Sequence, residues 1–235
     1  LLTDPLYAAS ALRTAVFCVA VTALSIGVAL LLAVSADRAL RGVKIYRALL
    51  VWPYAVAPAI AGVVWMLLLH PAIGVIGRPL NRAGLGWDYL INGGQALLVV
   101  ILASAWKQVS YNFIFLLAGL QSVPRAVMEA ARLDGARGWR MLLYIIVPLL
   151  APTLTFLIAV DIVYAAFDTF ATVQALTQGG PGQATTTLVV KVYRDGVLNQ
   201  DLGSSSAQSV LLMIVVTAVT LLQFRAAGRR KRPVG

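Results

Sequence analysis

Long apolar runs alternate with short polar stretches along the whole chain. Five runs are long enough to cross a hydrocarbon core of about 30 Å, which takes roughly 20 helical residues. They cover residues 14–36, 48–69, 95–120, 149–167 and 206–224. Because backbone polar groups cannot stay unpaired in lipid, each run is predicted to be a helix. The pattern predicts an all-α integral membrane protein, with a single membrane domain over residues 1–235.

The second run contains residues that interrupt a straight helix. Pro53 and Pro58 should bend it, because proline lacks the amide hydrogen that an α-helix uses. The small residues Ala55, Ala59 and Gly62 would let a neighbouring helix approach closely, and ordinary packing is the favoured explanation for them. Between the fourth and fifth runs, the sequence predicts a short amphipathic helix over residues 187–193.

The composition supports the membrane interpretation. The chain is 60% hydrophobic and 12% charged, with a mean hydropathy of +0.85, which excludes an ordinary soluble domain. The net charge of +10 does not indicate a nucleic-acid-binding protein, because the basic residues lie at the ends of the apolar runs. Cys18 is alone in an apolar run, so the sequence predicts no internal disulfide and no cysteine-based metal site.

Lys and Arg are distributed unevenly between the two ends of the apolar runs. Thirteen follow the first, third and fifth runs, whereas five lie at the opposite ends. Cytoplasmic loops carry the excess of Lys and Arg, so the loop after the third run and the C-terminus are predicted to be cytoplasmic. Leu1 then lies outside. Because the chain starts without Met or a signal-like segment, we expect a sixth span upstream in the full-length protein.

A polar segment over about residues 121–148 separates the third and fourth runs. Pro124 is suited to the first turn of a helix, and Gly135 can adopt the positive φ that ends one. Residues 139–146 form a second apolar-faced pattern, which Pro148 is expected to stop and redirect. The sequence therefore predicts a helix–Gly–helix unit in water, joined directly to two spans.

Ionisable residues occur inside the predicted spans. A charge near mid-membrane costs about 2.5–3.5 kcal/mol on insertion scales, so Lys107 and Asp161 should face protein or a water-filled cavity. Helical spacing places polar residues in a stripe on each of two spans. The first stripe comprises Ser104, Lys107, Gln108, Tyr111 and Asn112, and the second Asp161, Tyr164 and Asp168. These residues either line a translocation pathway or are held together by a buried Lys107–Asp161 ion pair, and both alternatives stay open.

No arrangement typical of an enzyme is present in the sequence. His70 has no companion His, Cys or carboxylate cluster, so a hydrogen-bonded interfacial histidine is expected there. The chain has no Ser/His/Asp arrangement and no G-x-x-x-x-G-K-[S/T] phosphate loop. We therefore expect no cofactor on this chain, and any ATP and Mg²⁺ would be bound by partner subunits.

The polar segment resembles the EAA loop of ABC importer permeases, whose pattern is EAA-x3-G-x9-I-x-L-P. The matching residues are Glu129, Ala130, Ala131, Gly135, Ile145 and Pro148, and the one departure is Val147 for Leu. The resemblance implies a type I ABC importer transmembrane domain whose loop fits a groove on an ATPase subunit. It further implies that Glu129 and Asp134 make polar contacts, and that Ala130, Ala131 and Gly135 form the close-packing surface.

Other stretches are similar to the sugar-type subgroup, and in particular to the permeases of sn-glycerol-3-phosphate importers. They cover residues 53–59, 106–113, 163–170 and 183–188. The resemblance implies a bacterial inner-membrane complex with a second homologous permease, two ATPase subunits and an external substrate-binding protein. It also places Gly179, Gly180 and Pro181 where the outer gate meets that binding protein.

Several functional alternatives remain at the level of sequence. A phosphate group would suit Lys107, but Asp161 and Asp168 would repel it unless they bind hydroxyls or cationic head groups or are neutralised within the protein. A permease for glycerophosphodiesters, a disaccharide or another sugar belongs to the same family. A proton-coupled carrier, with Lys107, Asp161 and Asp168 as its relay, is an alternative from another class, and an intramembrane enzyme is a weaker one.

Overall fold

The computed structural model describes residues 4–38 and 43–229, and all regular elements in these ranges are helical. In chain order they are α1 (Pro5–Arg38), α2 (Val43–Ala55), α3 (Pro58–Leu69), α4 (Gly77–Arg82), α5 (Gly93–Gln121), α6 (Arg125–Leu133), α7 (Trp139–Met141), α8 (Val147–Leu149), α9 (Ala151–Val163), α10 (Phe170–Leu176), α11 (Leu188–Tyr193) and α12 (Leu202–Arg229). Three π-helical segments, Leu142–Ile146, Tyr164–Asp168 and Arg194–Leu198, extend α7, α9 and α11.

Four helices in the described ranges are long and apolar enough to cross a membrane. They are Pro5–Asp37, Gly93–Gln121, Ala151–Asp168 and Leu202–Ala226. They correspond to the first, third, fourth and fifth predicted spans, three of them longer than predicted at both ends. Of the basic residues used to predict orientation, Arg41, Arg230, Lys231 and Arg232 lie outside the described residues.

The second predicted span, residues 48–69, is wrong as a single helix. The helix continues through Pro53, stops at Ala55 and restarts at Pro58 as α3. Pro58 has no amide hydrogen for the carbonyl of Tyr54, and a residue before proline favours extended backbone. Ala57 has that conformation, with φ −60° and ψ 140°. We call the two residues between α2 and α3, Val56 and Ala57, the helix break.

The long helix α5 forms the centre of the bundle, and α1, α2, α3 and α9 pack around it. Two apolar clusters lie along it, one around Phe17 and Val99 and the other around Phe113 and Leu116. Gly62 of α3 lies against α10 so closely that a Cβ atom would come within 2.8 Å of the carbonyl oxygen of Thr172. The close approach predicted at Gly62 is therefore confirmed, and it fixes α3 against the end of the fourth span.

The 121–148 segment folds as two helices separated by glycines. Pro124 caps α6, and Gly135 has φ +82°, as predicted. Gly138 also has a positive φ, +54°. The expectation that Pro148 stops the second helix is wrong, because the helical run 139–149 passes through it. The wider π-helical turn immediately before Pro148 changes the hydrogen-bond pattern where proline cannot donate, and the turn to α9 comes at Leu150 instead.

Candidate functional site

A cavity of about 820 Å³ lies between the helices. Its wall comes from α2, α3, α5, α9, α12 and the π-helical segment Tyr164–Asp168. Five of the seven predicted pathway residues line it, namely Lys107, Gln108, Tyr111, Tyr164 and Asp168. Among the described lining residues Lys107 is the one cation and Asp168 the one anion. The volume falls within the range of small-molecule sites in proteins.

Lys107 does not pair with Asp161, so the alternative of a buried Lys107–Asp161 ion pair is wrong. Its ammonium donates to the backbone carbonyl of Val56 at 2.8 Å and to that of Tyr54 at 3.2 Å. It also lies 5.4 Å from the centre of the Tyr54 ring, within the range of a cation–π contact. The helix break exposes carbonyl groups close to Lys107. These carbonyls, rather than the Asp161 carboxylate, accept hydrogen bonds from the ammonium.

Asp161 and Asn112, the other two predicted pathway residues, do not line the cavity. Both are fully buried at 0% exposure. The Asp161 carboxylate accepts hydrogen bonds of 2.7 Å each from Ser25 Oγ, Gln108 Nε2 and Asn112 Nδ2. We call these four residues the Asp161 cluster. It joins α1, α5 and α9 through a carboxylate that faces neutral donors rather than a cation.

Ser25 was missed by the sequence analysis. A single serine in an apolar span is common, and its position 136 residues before Asp161 gave no indication of the contact. The first predicted stripe is in fact divided between two environments. Lys107 and Tyr111 face the cavity, Ser104 and Asn112 face the core, and Gln108 reaches both.

A series of aromatic rings leads away from Lys107, and Tyr54, Tyr111 and Phe156 of this series line the cavity. Tyr54 and Tyr111 have ring centres 5.8 Å apart, Tyr111 and Phe115 4.8 Å, and Phe115 and Phe156 5.5 Å. Tyr164 lies on the cavity wall and donates its hydroxyl to the carbonyl of Ser104 at 3.3 Å. The cavity thus combines one ammonium, one carboxylate and three tyrosines with a largely apolar wall, an arrangement that suits a small amphiphilic ligand with polar groups at fixed positions.

At one end of the bundle, the 121–148 segment presents both polar and apolar groups to solvent. Glu129, Ala130, Asp134 and Gly135 are exposed. Ala131 is only 8% exposed, because it packs in the chain's own core with Met141. The sequence analysis did not single out Leu133, Tyr144 and Trp139, which are 90%, 75% and 66% exposed. Exposed side chains of this size beside a water-facing helix are typical of a docking surface.

The predicted outer turn lies at the opposite end and is closely hydrogen-bonded. Gly179 has φ +85°, and its carbonyl accepts from Thr186 Oγ1 at 3.0 Å. The carbonyl of Gly180 accepts from Thr185 Oγ1 at 3.0 Å, and that hydroxyl is 2.7 Å from Thr177 Oγ1. Pro181 follows within the same turn. The three threonines, which the sequence analysis did not assign to the site, make this turn stiff.

Helix α11 adjoins this turn, as predicted, and hydrogen bonds attach it to α12. Asp195 accepts from Lys191 at 2.8 Å and from Gln208 at 2.6 Å. Burial raises the pKa of Asp195, but the hydrogen bonds from Gln208 and Lys191 and the positive charge of Lys191 together hold this pKa below its ordinary value. The carboxylate therefore stays ionised, and it attaches the end of α11 to the first turns of α12.

His70 makes an ordinary hydrogen bond rather than joining a metal site. Its Nδ1 accepts from the amide of Ala72 at 3.2 Å. Across residues 4–38 and 43–229, no group of three or more His, Cys, Asp or Glu side chains could hold a metal ion.

Several membrane-length helices around a largely apolar cavity with a few polar groups, and an exposed loop at one end, are typical of a multi-pass transport subunit. The family is known as well. Residues 25–233 match the family described as "Binding-protein-dependent transport system inner membrane component", and the chain belongs to it. It is a permease subunit of an ABC importer, a multi-pass inner-membrane protein that works with a binding protein. The proton-coupled carrier considered as an alternative is therefore wrong.

Relatives with curated names are closely similar. The "sn-glycerol-3-phosphate transport system permease protein UgpA" of Brucella abortus is 55% identical over 229 residues, which cover 97% of this chain and 78% of that protein. The protein of the same name from Rhizobium meliloti is 54% identical, with 92% of this chain and 74% of that protein covered. The one from Yersinia pseudotuberculosis is 48% identical, with 97% and 78% covered.

Solved structures share the fold at low sequence identity. A bacterial alginate ABC transporter in complex with an alginate-pentasaccharide-bound periplasmic protein aligns with TM-score 0.84 and 20% identity, over 99% of this chain and 82% of that one. An amino acid ABC transporter aligns with TM-score 0.58 and 15% identity, over 97% and 94%. Together with the family match, they establish the type I ABC importer transmembrane fold.

Proposed function

We propose that this chain carries sn-glycerol-3-phosphate or a closely related glycerophosphodiester through its cavity, as one half of an importer's pathway. The observation that carries the proposal is Lys107, whose ammonium lines the cavity near mid-span. Relatives named as sn-glycerol-3-phosphate permeases, at 48–55% identity over most of this chain, support the same substrate.

The carboxylates fit this substrate better than the sequence suggested. Asp161 is buried and hydrogen-bonded outside the cavity wall, so it does not meet a phosphate group there. Asp168 remains on the wall, where its oxygens can accept hydrogen bonds from glycerol hydroxyls. A phosphate at Lys107 and hydroxyls towards Asp168 would orient the molecule in one direction.

The 121–148 segment is proposed to dock on an ATPase subunit, with ATP and Mg²⁺ bound there and not on this chain. Glu129 and Asp134 are exposed for polar contacts, and Ala130 and Gly135 allow close approach of a second backbone. Leu133 and Trp139 add exposed apolar area beside them. The complete importer would contain a second homologous permease, two ATPase subunits and a binding protein.

The orientation follows from the same assignment. The 121–148 segment and the C-terminus would lie in the cytoplasm, in agreement with the bias of Lys and Arg. The turn that contains Gly179, Gly180 and Pro181 would then face the binding protein at the outer gate. Its hydrogen bonds support a stiff contact that transmits closure of the binding protein to α11 and α12.

ATPase stimulation of the complete importer in lipid nanodiscs tests the substrate. Binding protein loaded with sn-glycerol-3-phosphate or glycerophosphocholine should stimulate hydrolysis, whereas the unloaded protein serves as the control. Lys107→Met should reduce stimulated transport by about tenfold, since a charge-assisted contact to the phosphate is lost. Stimulation by maltose in place of the phosphate compounds would contradict the proposal and favour the sugar alternative.

A further inference from the structure

The helix break leaves a backbone acceptor that needs a new donor. In a continuous helix the amide of residue 58 would donate to the carbonyl of Tyr54, but Pro58 has no amide hydrogen. A carbonyl without a partner inside a membrane protein is costly. Lys107 of α5 fills this place, because its Nζ lies 3.2 Å from the Tyr54 oxygen and 2.8 Å from the Val56 oxygen.

Three interactions hold the ammonium at this position. The last carbonyls of α2 carry the partial negative charge of a helix C-terminus, which attracts a cation. The two hydrogen bonds are strengthened by the positive charge of the donor. The face of the Tyr54 ring, 5.4 Å away, is attractive to the same charge. Together they bind α5 to the end of α2 and to the helix break.

The same ammonium is accessible from the cavity. Lys107, Tyr54 and Pro58 all line its wall, so the break is part of the cavity surface. An ammonium has three N–H donors, and the carbonyls in the described part of the chain take two of them. An anion in the cavity can first accept a hydrogen bond from the third N–H group of Lys107. A charged acceptor binds an ammonium more strongly than a neutral carbonyl does, so the anion also competes with the two carbonyls for the other N–H groups.

We propose that Lys107 acts as a latch on the second span. Its hydrogen bonds to the carbonyls of Tyr54 and Val56 hold α2 and α3 at one angle, which we call the closed state, when no anion is bound. An anionic ligand in the cavity that draws the ammonium away from these carbonyls allows the angle to change. Substrate charge would thereby change the angle between α2 and α3, and so the shape of the cavity wall. Only the identity of the ligand rests on the proposed function. The contact of Lys107 with the helix break does not depend on it.

Distance measurements between spin labels on either side of the break test the latch in the assembled importer. Trp52 and Leu67 are exposed, at 64% and 51%, and lie in α2 and α3, on either side of the break. Both would be replaced by labelled cysteines, with Cys18→Ser to remove the native thiol. The empty wild-type complex should give one narrow distribution. Lys107→Met should lower the closed population by about tenfold, because two charge-assisted hydrogen bonds are lost.

Two further variants separate the latch from a general loss of structure. Lys107→Arg keeps the charge and the donors, so its distribution should stay close to that of the wild type. Pro58→Ala gives residue 58 an amide for the Tyr54 carbonyl and should rejoin α2 and α3 as one helix. In combination with Lys107→Met it should therefore give a narrow distribution again, at a distance that differs from that of the wild type. Identical distributions for the empty wild type and Lys107→Met would overturn the proposal, as would a broad distribution for the combined variant.

The ligand step uses inorganic phosphate and sn-glycerol-3-phosphate, with glycerol as the uncharged control. Both anions should shift the wild-type distribution towards that of Lys107→Met, and glycerol should not. A wild-type distribution that neither anion moves would also overturn the latch. If phosphate moves the break while only maltose-loaded binding protein stimulates the ATPase, the latch stands and the proposed substrate fails.

Discussion

At the scale of single residues, the role of an ionisable side chain follows from its surroundings in the folded protein and not from its position in the sequence. Asp161 and Asp168 lie seven residues apart on one span, yet the first is fully buried and the second exposed. Asp161 accepts from three donors on two other helices. Asp168 lines the cavity. One carboxylate therefore joins helices, and the other is available to a ligand.

Replacement of each carboxylate by leucine distinguishes the two roles. Asp161→Leu removes the acceptor of Gln108 Nε2, at about 1–3 kcal/mol for a buried unpaired group, whereas Ser25 and Asn112 keep their contacts with the Thr22 carbonyl and Ser25 Oγ. We expect the melting temperature of the purified complex to fall by several degrees. Asp168→Leu is the matched control and should change melting little while it reduces transport. Equal melting temperatures for the two variants would show that the Asp161 cluster contributes no stability.

At the scale of helices, proline and glycine decide how the second span is built. Pro58 divides the span, and Gly62 lets its second half, α3, contact α10 almost backbone to backbone. A Cβ at Gly62 would lie 2.8 Å from the Thr172 oxygen and 2.9 Å from the Ala175 Cβ. Because α10 follows the cavity-lining segment Tyr164–Asp168, this contact ties the helix break to the opposite wall of the cavity.

Glycine-to-alanine substitutions measure this contact. Gly62→Ala should destabilise the complex by about 1–3 kcal/mol, because backbone atoms of α10 have to move away. Gly27→Ala on α1 is the control, since a Cβ there meets nothing within 4 Å. That variant should be neutral or stabilise by up to about 1 kcal/mol through better helix propensity. Thermal melting of both variants in the same detergent measures the two effects. A Gly62→Ala protein that melts at the wild-type temperature would refute the close packing.

At the scale of the whole molecule, the two ends of the bundle present different surfaces. The central helix α5 has 29 residues and separates them by about 43 Å. The end with the 121–148 segment exposes Leu133 and Trp139 beside Glu129. The other end carries the hydrogen-bonded turn at Gly179 and exposed apolar residues such as Ile91. Two docking partners on opposite sides of a membrane suit this arrangement.

Substitutions at the two ends should affect coupling differently. Leu133→Ser and Glu129→Lys should each reduce ATPase-driven import by about tenfold or more, because one removes apolar contact area and the other reverses a charge at the proposed ATPase interface. Ile91→Ser, the same type of change at the other end, should leave ATPase binding unaltered. Co-purification of the ATPase and transport assays measure both effects. Undiminished import by Glu129→Lys would exclude the proposed contact.

The sequence by itself determined four of the five spans, the 121–148 segment and the family. Each of these depends on local information: the length of an apolar run, the positive φ of Gly135, and a fixed spacing from Glu129 to Pro148. Five polar residues of the cavity wall were also predicted, because helical periodicity brings polar side chains to one side of a span. Periodicity does not specify which neighbouring helix these polar side chains face.

Only the tertiary structure decided which partner each polar group has. Lys107 contacts carbonyls that become available because Pro58 interrupts a helix about 50 residues earlier, and Asp161 contacts a serine 136 residues away. Such contacts depend on how helices cross and rotate against one another, which is set by the packing of the whole bundle. The buried carboxylate and the lysine at the helix break are therefore properties of the assembled helices, although each residue is plainly visible in the sequence.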